Sequence, residues 1–416
     1  IISDPIIVTI HAFFFQNKPL EIGLSVLQIY RTTLLLMLLY LVLKYYVNWL
    51  KKTRIIHPLI ALSVYVMLIT PFSSFPLEGI VYSLRILFLC MITISAFILT
   101  YYYKLTTRKL YKLGMVILLL YFSSQILALI LGFGGIQEYR SPYGSTGFDV
   151  KISVISGAIC SIIPVFLLSG VWRKKDIIMI FVAFTSILLT MRRTALLATL
   201  IIIVMVNLVR MLRSRSNLYN RILSTMIPIV IAGILIYIVN NTNFGYFLES
   251  RLIDLYFWEG GRASGRTIIQ AVGIEYIFSR NLLQNFLGQG AGYPKIILYE
   301  RLGVSIGMHS DWLDVAIAYG LIGIFLFLSF IKNLLSMLAT VSKRKVAGAF
   351  DTILAIFLIF LFVSFASGGV LDTKTAMAYA MLGHIYARSY VSPIADRHLL
   401  LYKLRINSKE YSKNSV

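Results

Sequence analysis

Charged residues are scarce in this 416-residue chain, and acidic residues are the scarcest of them. Only 13% of the residues are charged, against roughly 25% in soluble domains, and 58% are hydrophobic. This composition excludes an ordinary soluble enzyme or binding domain. The formal net charge of +22 does not indicate a nucleic-acid partner, because the cations fall in short clusters between apolar blocks rather than on one polar domain.

Cysteine is nearly absent, with two in the whole chain. Cys90 and Cys160 each lie within an apolar block, and neither stands at metal-ligand spacing, so the sequence predicts small core residues and no redox or zinc site. No signal peptide of the usual layout is present, and the chain opens at Ile1, so we expect its start to be trimmed.

Long apolar blocks make up most of the chain. They run for about 15–23 residues, close to the ~20 that a helix needs to cross a bilayer, and they lack the alternation of strands. Residues 80–101, 113–133 and 222–239 show this well. Lipid admits only spanning segments that satisfy their own backbone hydrogen bonds, so the predicted fold class is an all-α polytopic membrane protein.

The positions of the basic clusters predict the topology. The positive-inside rule assigns these clusters to the cytoplasm, together with the basic tail after Pro393: 51–54, 104–112, 173–175, 210–221 and 343–345. The alternate connections are then extracytoplasmic: 16–26, 71–79, 134–151, 190–194, 240–310 and 368–375. This alternation of inner and outer connections predicts about twelve transmembrane helices with both termini in the cytoplasm.

The same pattern divides the chain into four parts. Nine helices fall in residues 1–239, a large extracytoplasmic loop in 240–310, three further helices in 311–392, and a basic cytoplasmic tail in 393–416. A loop of about 70 residues is usually functional or disordered. This one is rich in Leu, Ile, Phe and Tyr, which favours a folded loop with short helices.

Two arginines break the charge rule. Arg192 and Arg193 lie in the predicted outer turn 190–194, between two apolar runs. A charge near the membrane core costs several kcal/mol unless it is paired or hydrated, so such residues often mark a function. Snorkelling to lipid phosphates is the alternative, but two adjacent arginines favour an anion-binding site.

The large loop holds three notable stretches. Thr267 and Gln270 have capping-box spacing, which predicts a helix from Thr267 with Arg266 beside its N-terminus, where a phosphate binds well. A solvated loop arginine is the alternative reading. The glycine-rich residues 287–293 do not follow a strand, which favours a tight turn over a nucleotide loop. His309 and Asp311 lie where the chain re-enters the membrane, and a neutral imidazole there can accept a proton.

The order of these motifs resembles the bacterial O-antigen ligase and polysaccharide polymerase family. The motifs are the arginine pair, Ser-Gly-Arg at 264–266, Gly-Gln-Gly at 288–290, His-Ser-Asp-Trp-Leu at 309–313 and Tyr-Gly-Leu-Ile-Gly at 319–323. The resemblance covers roughly residues 151–390. It implies a GT-C-like glycosyltransferase of the bacterial inner membrane that is metal-independent, inverting and free of cofactors, with its active site facing the periplasm.

The resemblance also implies substrates, partners and residue roles. The donor is an undecaprenyl-diphosphate-linked oligosaccharide, and membrane lipids and a chain-length regulator protein are the expected partners. The implied residues are His309 and Asp311 as catalytic groups, Arg192, Arg193 and Arg266 as ligands of the diphosphate, and Arg140 and Arg262 as further substrate contacts.

Three functions remain open at this stage. Serine after His309, where ligases more often have asparagine, favours an O-antigen polymerase over a ligase that transfers the glycan to lipid A–core. A lipid-linked oligosaccharide flippase is the alternative from another class. Flippases tend to show inverted repeats and polar, broken helices at the bilayer midplane, and no internal repeat is evident here.

Overall fold

The computed structural model describes residues 26–44, 53–130, 152–170, 173–190, 193–213, 266–303, 307–344, 346, 348–366 and 369–389. Within these ranges the chain is helical and contains no strand. The all-α architecture is therefore confirmed for the part of the chain that the structure describes.

The helices follow one another along the chain with short connections. In order they are α1 (Val26–Lys44), α2 (His57–Ile69), α3 (Pro76–Tyr101), α4 (Thr107–Ile130), α5 (Ile152–Phe166), α6 (Lys174–Leu189), α7 (Arg193–Arg213), α8 (Arg266–Ser279), α9 (Leu282–Leu287), α10 (Tyr293–Leu302), α11 (Asp311–Arg344), α12 (Ala349–Ala366) and α13 (376–389). Single 3₁₀ turns stand at Arg54–Ile56, Thr70–Phe72 and Thr373–Thr375.

Several of these helices are long and apolar enough to cross a membrane. Among the described residues five candidates reach that length: Arg54–Phe72, Pro76–Tyr101, Thr107–Leu127, Thr194–Leu212 and Asp311–Arg344. The shorter α5 and α12 are apolar as well. The chain is thus a polytopic membrane protein. The count of twelve spans stays a prediction, and the predicted span 222–239 lies outside the described residues.

Helix α3 forms the centre of the bundle. Its second half is buried on every side, from Phe88 to Ile98, as expected for a helix surrounded by other helices. Cys90 is fully buried in this stretch, and Cys160 is 1% exposed on α5. Both cysteines are free thiols, which agrees with the core role predicted for them.

The predicted outer segments meet at one end of the bundle. Ser73 Oγ, in the predicted outer segment 71–79, donates to the carbonyl of Ala291 at 3.0 Å, and Asp311 accepts a hydrogen bond from the backbone N–H of Gly369. At the other end, Arg344 of a predicted cytoplasmic cluster donates to the carbonyl of Ser389, just before the predicted tail. The end that carries residues 71–79 and 369–370 is called the outer end below, and its orientation in the membrane stays a prediction.

Helix α11 is broken near its outer end. Gly320 has φ 60° and ψ −157°, which interrupts the helical hydrogen bonding. Two of the carbonyls left open accept from the Arg280 guanidinium, which donates to Ala316 at 3.2 Å and to Ile317 at 3.1 Å. The carbonyl of Ala318 accepts from two backbone N–H groups of the glycine-rich turn. The break therefore separates a short outer helix, which carries Asp311, from the long span below it.

Candidate functional site

The segment that carries His309 is held firmly by its neighbours. Met308 is fully buried, and its backbone N–H donates to Asp314 Oδ1 at 3.1 Å. Ser310 stands at the N-cap position of α11, but its hydroxyl donates to the carbonyl of Ser364 at 3.3 Å. His309 lies between them and has φ 54°, in the left-handed backbone region that residues other than glycine rarely adopt. A partly exposed histidine is thus presented on a fixed and strained backbone, a feature that clusters at functional sites.

Asp311 joins this segment to the last outer connection. Its side chain is almost fully buried, and Oδ1 accepts from the N–H of Gly369 at 2.6 Å while Oδ2 accepts from the N–H of Val370 at 2.8 Å. A carboxylate has about four lone-pair positions, so two of them stay open for a substrate. The bonds observed here make Asp311 a residue that positions the site.

Replacing Asp311 with alanine should destabilise the protein markedly. The change leaves two buried N–H groups without acceptors, each at a cost of about 1–3 kcal/mol. We expect a lower temperature of thermal aggregation in detergent for Asp311→Ala. The exposed Glu275 offers a matched control, and Glu275→Ala should melt like the wild type. A wild-type melting temperature for Asp311→Ala would show that the loop at 369–370 does not depend on this carboxylate.

Two outer segments converge on the outer end of α12. Trp312 Nε1 donates to Ser364 Oγ at 2.9 Å, and its ring stacks on Phe365 with 5.0 Å between centroids. From the large loop, Gln270 Nε2 lies 3.5 Å from the carbonyl of Phe365. The start of α11, next to His309, and the first turns of α8, next to Arg266, therefore both contact Phe365.

Helix α7 reaches the same end of the bundle. It packs along α12, and Arg210 near its C-terminus pairs with Asp351 near the start of α12, with 2.6 Å between Nε and Oδ2. The two helices are therefore antiparallel. From this ion pair each helix extends about 22–25 Å, at 1.5 Å per residue, to Arg193 and to Ala366. The N-terminus of α7 thus lies at the outer end of α12.

Two of the predicted arginines fall at helix starts. Arg193 and Arg266 are the first residues of α7 and α8, so α8 begins one residue earlier than predicted. A helix N-terminus carries unpaired N–H groups and a partial positive charge, which makes it suited to an anion. Arg192, Arg140 and Arg262 lie outside the described residues.

A cavity of about 470 Å³ opens next to the His309 segment. It lies between the start of α3, the turn before α10 and the outer part of α11, and Gly307 and Asp311 both line it, whereas His309 does not. Most of its polar lining comes from Glu78, Tyr82, Arg85, Lys295, Asp311, Asp314 and Tyr319. Arg85 and Lys295 were not predicted as site residues, because only the packing of distant segments brings them here.

The glycine-rich stretch forms the tight turn that the sequence predicts. Gly288, Gly290 and Gly292 all have positive φ, between 81° and 90°. The turn packs against the outer segment 71–79, where a Cβ on Gly290 would lie 2.4 Å from Ser73 Cβ. Its glycines therefore serve close backbone packing rather than a nucleotide.

Arg280 and Tyr276 stabilise this turn, and no sequence motif marked either residue as part of it. Burial lowers the pKa of Arg280 from its ordinary value, and its guanidinium lies 5.8 Å from the centroid of the Tyr276 ring. Burial also raises the pKa of Tyr276 to about 12, so the phenol stays protonated and donates to Gln289 Oε1 at 2.5 Å. Arg280 thus acts in the fold, since its donors are taken by Asn285 and by two carbonyls of α11.

Comparison with known proteins agrees with the motifs. Residues 178–328 match the family model described as O-Antigen ligase, a range that runs from α6 through the large loop into α11. No curated protein matches the chain. Within the described ranges, no group of three His, Cys, Asp or Glu residues is placed to hold a metal ion. The matched range contains the arginine pair, Arg266 and His309, and the match supports the assignment of this membrane protein to the O-antigen ligase and polysaccharide polymerase family.

Proposed function

We propose that this protein is a surface-polysaccharide polymerase of the bacterial inner membrane. It transfers an oligosaccharide en bloc from undecaprenyl diphosphate to a hydroxyl of a second lipid-linked repeat unit, on the periplasmic face. The observation that carries the proposal is the convergence of three family motifs, at the starts of α7, α8 and α11, on the outer end of α12.

The donor diphosphate binds where α7 and α8 begin. Arg192, Arg193 and Arg266 supply planar guanidinium groups that bind phosphate oxygens in pairs, and the helix N-termini add backbone N–H donors. Negative charge grows on the diphosphate as its bond to the sugar breaks, and fixed cations stabilise that charge more in the transition state than in the ground state. Arg140 and Arg262 are further candidate contacts to the donor.

His309 takes the proton of the acceptor hydroxyl. The acceptor oxygen forms a bond to the anomeric carbon from the face opposite the diphosphate, the bond from that carbon to the phosphate oxygen breaks, and the lipid diphosphate leaves with its electron pair. Attack from the opposite face inverts the anomeric centre. Asp311 is the second candidate for the base and orients the segment. The arginines take the role that a metal ion plays in other glycosyltransferases, so no metal is required.

One experiment distinguishes the polymerase from the two other candidate functions. Purified protein in detergent is incubated with a lipid-linked repeat unit and EDTA, and the products are separated on a gel. A ladder of longer lipid-linked glycans supports a metal-independent polymerase. Transfer only after lipid A–core is added identifies a ligase. No product with either acceptor, using a repeat unit from the source organism, favours a transporter.

Arg266→Ala should lower the rate of ladder formation by about 10²–10³-fold, the usual effect of removing one donor to a developing anion. The loss should appear at saturating donor, because the contact strengthens in the transition state. Arg301, an exposed arginine on α10, provides the control, and Arg301→Ala should keep wild-type activity. Full activity of Arg266→Ala would count against the donor site.

A further inference from the structure

We propose that the cavity between α3, the turn before α10 and the start of α11 binds the acceptor sugar. This inference rests on the proposed transferase function and adds an acceptor subsite to it. The segment 307–311 contacts both the cavity and the outer end of α12, since Asp311 lines the cavity while Ser310 and Trp312 contact Ser364. The proposed reacting groups therefore lie next to both proposed substrate sites.

The cavity contains polar groups without partners. Tyr319 is only 2% exposed, yet its hydroxyl makes no hydrogen bond to any described residue. The Tyr82 hydroxyl, the Arg85 guanidinium and Asp314 Oδ2 likewise have no hydrogen-bond partner in the described part of the chain. Some nine in ten buried polar groups in proteins are hydrogen-bonded. Of the four groups Tyr319 is buried, Tyr82 and Asp314 are partly exposed, and Arg85 is exposed. One buried phenol without a partner, together with three accessible polar groups on the same cavity, favours a polar ligand there.

The charges of the lining favour a sugar over a diphosphate. Asp311 and Asp314 both face the cavity region, and Lys295 already pairs with Glu78, with 2.7 Å between Nζ and Oε1. Arg85 is left as the one cation of the lining without an ion pair among the described residues, beside two carboxylates that repel a second anion. Hydroxyl groups donate to a carboxylate and accept from a phenol or guanidinium, so a neutral sugar satisfies all four groups.

Two aromatic rings give the cavity a wall for the apolar face of a sugar ring. Tyr82 on α3 and Tyr319 on α11 stack with 5.6 Å between centroids and an interplanar angle of 25°. Leu77, Val81 and Ala318 continue this surface. A cavity of about 470 Å³ lies within the usual size range of ligand pockets. It accommodates the terminal sugars of a repeat unit.

The test measures binding rather than turnover. The probe is the repeat-unit oligosaccharide released from its lipid by mild acid, titrated into full-length protein in nanodiscs by calorimetry. Undecaprenyl diphosphate is titrated separately. Asp314→Asn should weaken oligosaccharide binding about tenfold or more, and Tyr319→Phe and Tyr82→Phe about three- to tenfold, as expected for one lost hydrogen bond each. Binding of undecaprenyl diphosphate should stay unchanged in all three.

Glu275→Gln and Tyr299→Phe serve as matched controls, since both residues are exposed on the loop helices. Tyr319→Phe removes an unpartnered hydroxyl, so the free protein should melt no lower than wild type. Weaker binding of undecaprenyl diphosphate with unchanged oligosaccharide binding would overturn the proposal, and so would wild-type binding of both probes. Polymer formation by the wild-type protein tests the transferase function separately. If the wild type forms polymer but the variants bind the oligosaccharide normally, the acceptor subsite is wrong while the transferase function stands.

Discussion

His309→Gly is expected to lower polymer formation by about 10²–10⁴-fold, the usual contribution of a positioned general base, while the protein stays folded. The backbone at this position has φ 54°, where a residue with a Cβ is strained by about 1–2 kcal/mol. Glycine relieves that strain but adds freedom to the unfolded chain, and the two effects are similar in size. We therefore expect a melting temperature in detergent close to that of wild type.

His309→Ala separates the backbone from the side chain. Alanine loses the imidazole but keeps the left-handed strain, so it should match glycine in lost activity and melt at a lower temperature than the glycine variant. The rate of ladder formation with the lipid-linked repeat unit and the temperature of thermal aggregation are measured on the same preparations. If His309→Gly keeps more than about a tenth of wild-type activity, the imidazole does not carry the proton transfer.

The sequence predicted features that depend on local patterns. The apolar runs gave the spans of α3 and α4 to within a few residues, because each run must by itself cover the bilayer core. The buried cysteines, Cys90 and Cys160, and the turn at Gly288 followed from composition and spacing in the same way. Residue order also carried enough information for the family, which the match to residues 178–328 confirms.

Contacts between distant segments could not be predicted from the sequence. Nothing in the residues around Asp311 shows that its carboxylate binds the backbone at 369–370, since backbone N–H groups have no residue signature. Arg280 looked like any loop arginine, and only the break at Gly320 exposes the carbonyls that it caps. The cavity was hidden for the same reason, because α3, α10 and α11 each contribute part of its lining.

The break in α11 also allows a test of how the large loop positions the site. Gly288 and Gly320 touch through their backbones: a Cβ on Gly288 would lie 2.4 Å from the carbonyl oxygen of Ala318, and one on Gly320 would lie 2.5 Å from that of Phe286. Both glycines have positive φ. Neither contact is with a flexible side chain, so a methyl group there must separate the turn from α11.

We expect Gly288→Ala and Gly320→Ala each to destabilise the protein by about 3–5 kcal/mol, the sum of overpacking and left-handed strain. Gly303 is the matched control, because it has φ 70° but a Cβ there meets nothing within 4 Å. Gly303→Ala should therefore cost only the strain, about 1–2 kcal/mol. Thermal aggregation in detergent compares the three. Equal melting temperatures would mean that this contact does not stabilise the fold. A large difference confined to the two packed glycines would establish that the outer part of α11, with Asp311 and the cavity wall, is held in place by the turn of the large loop.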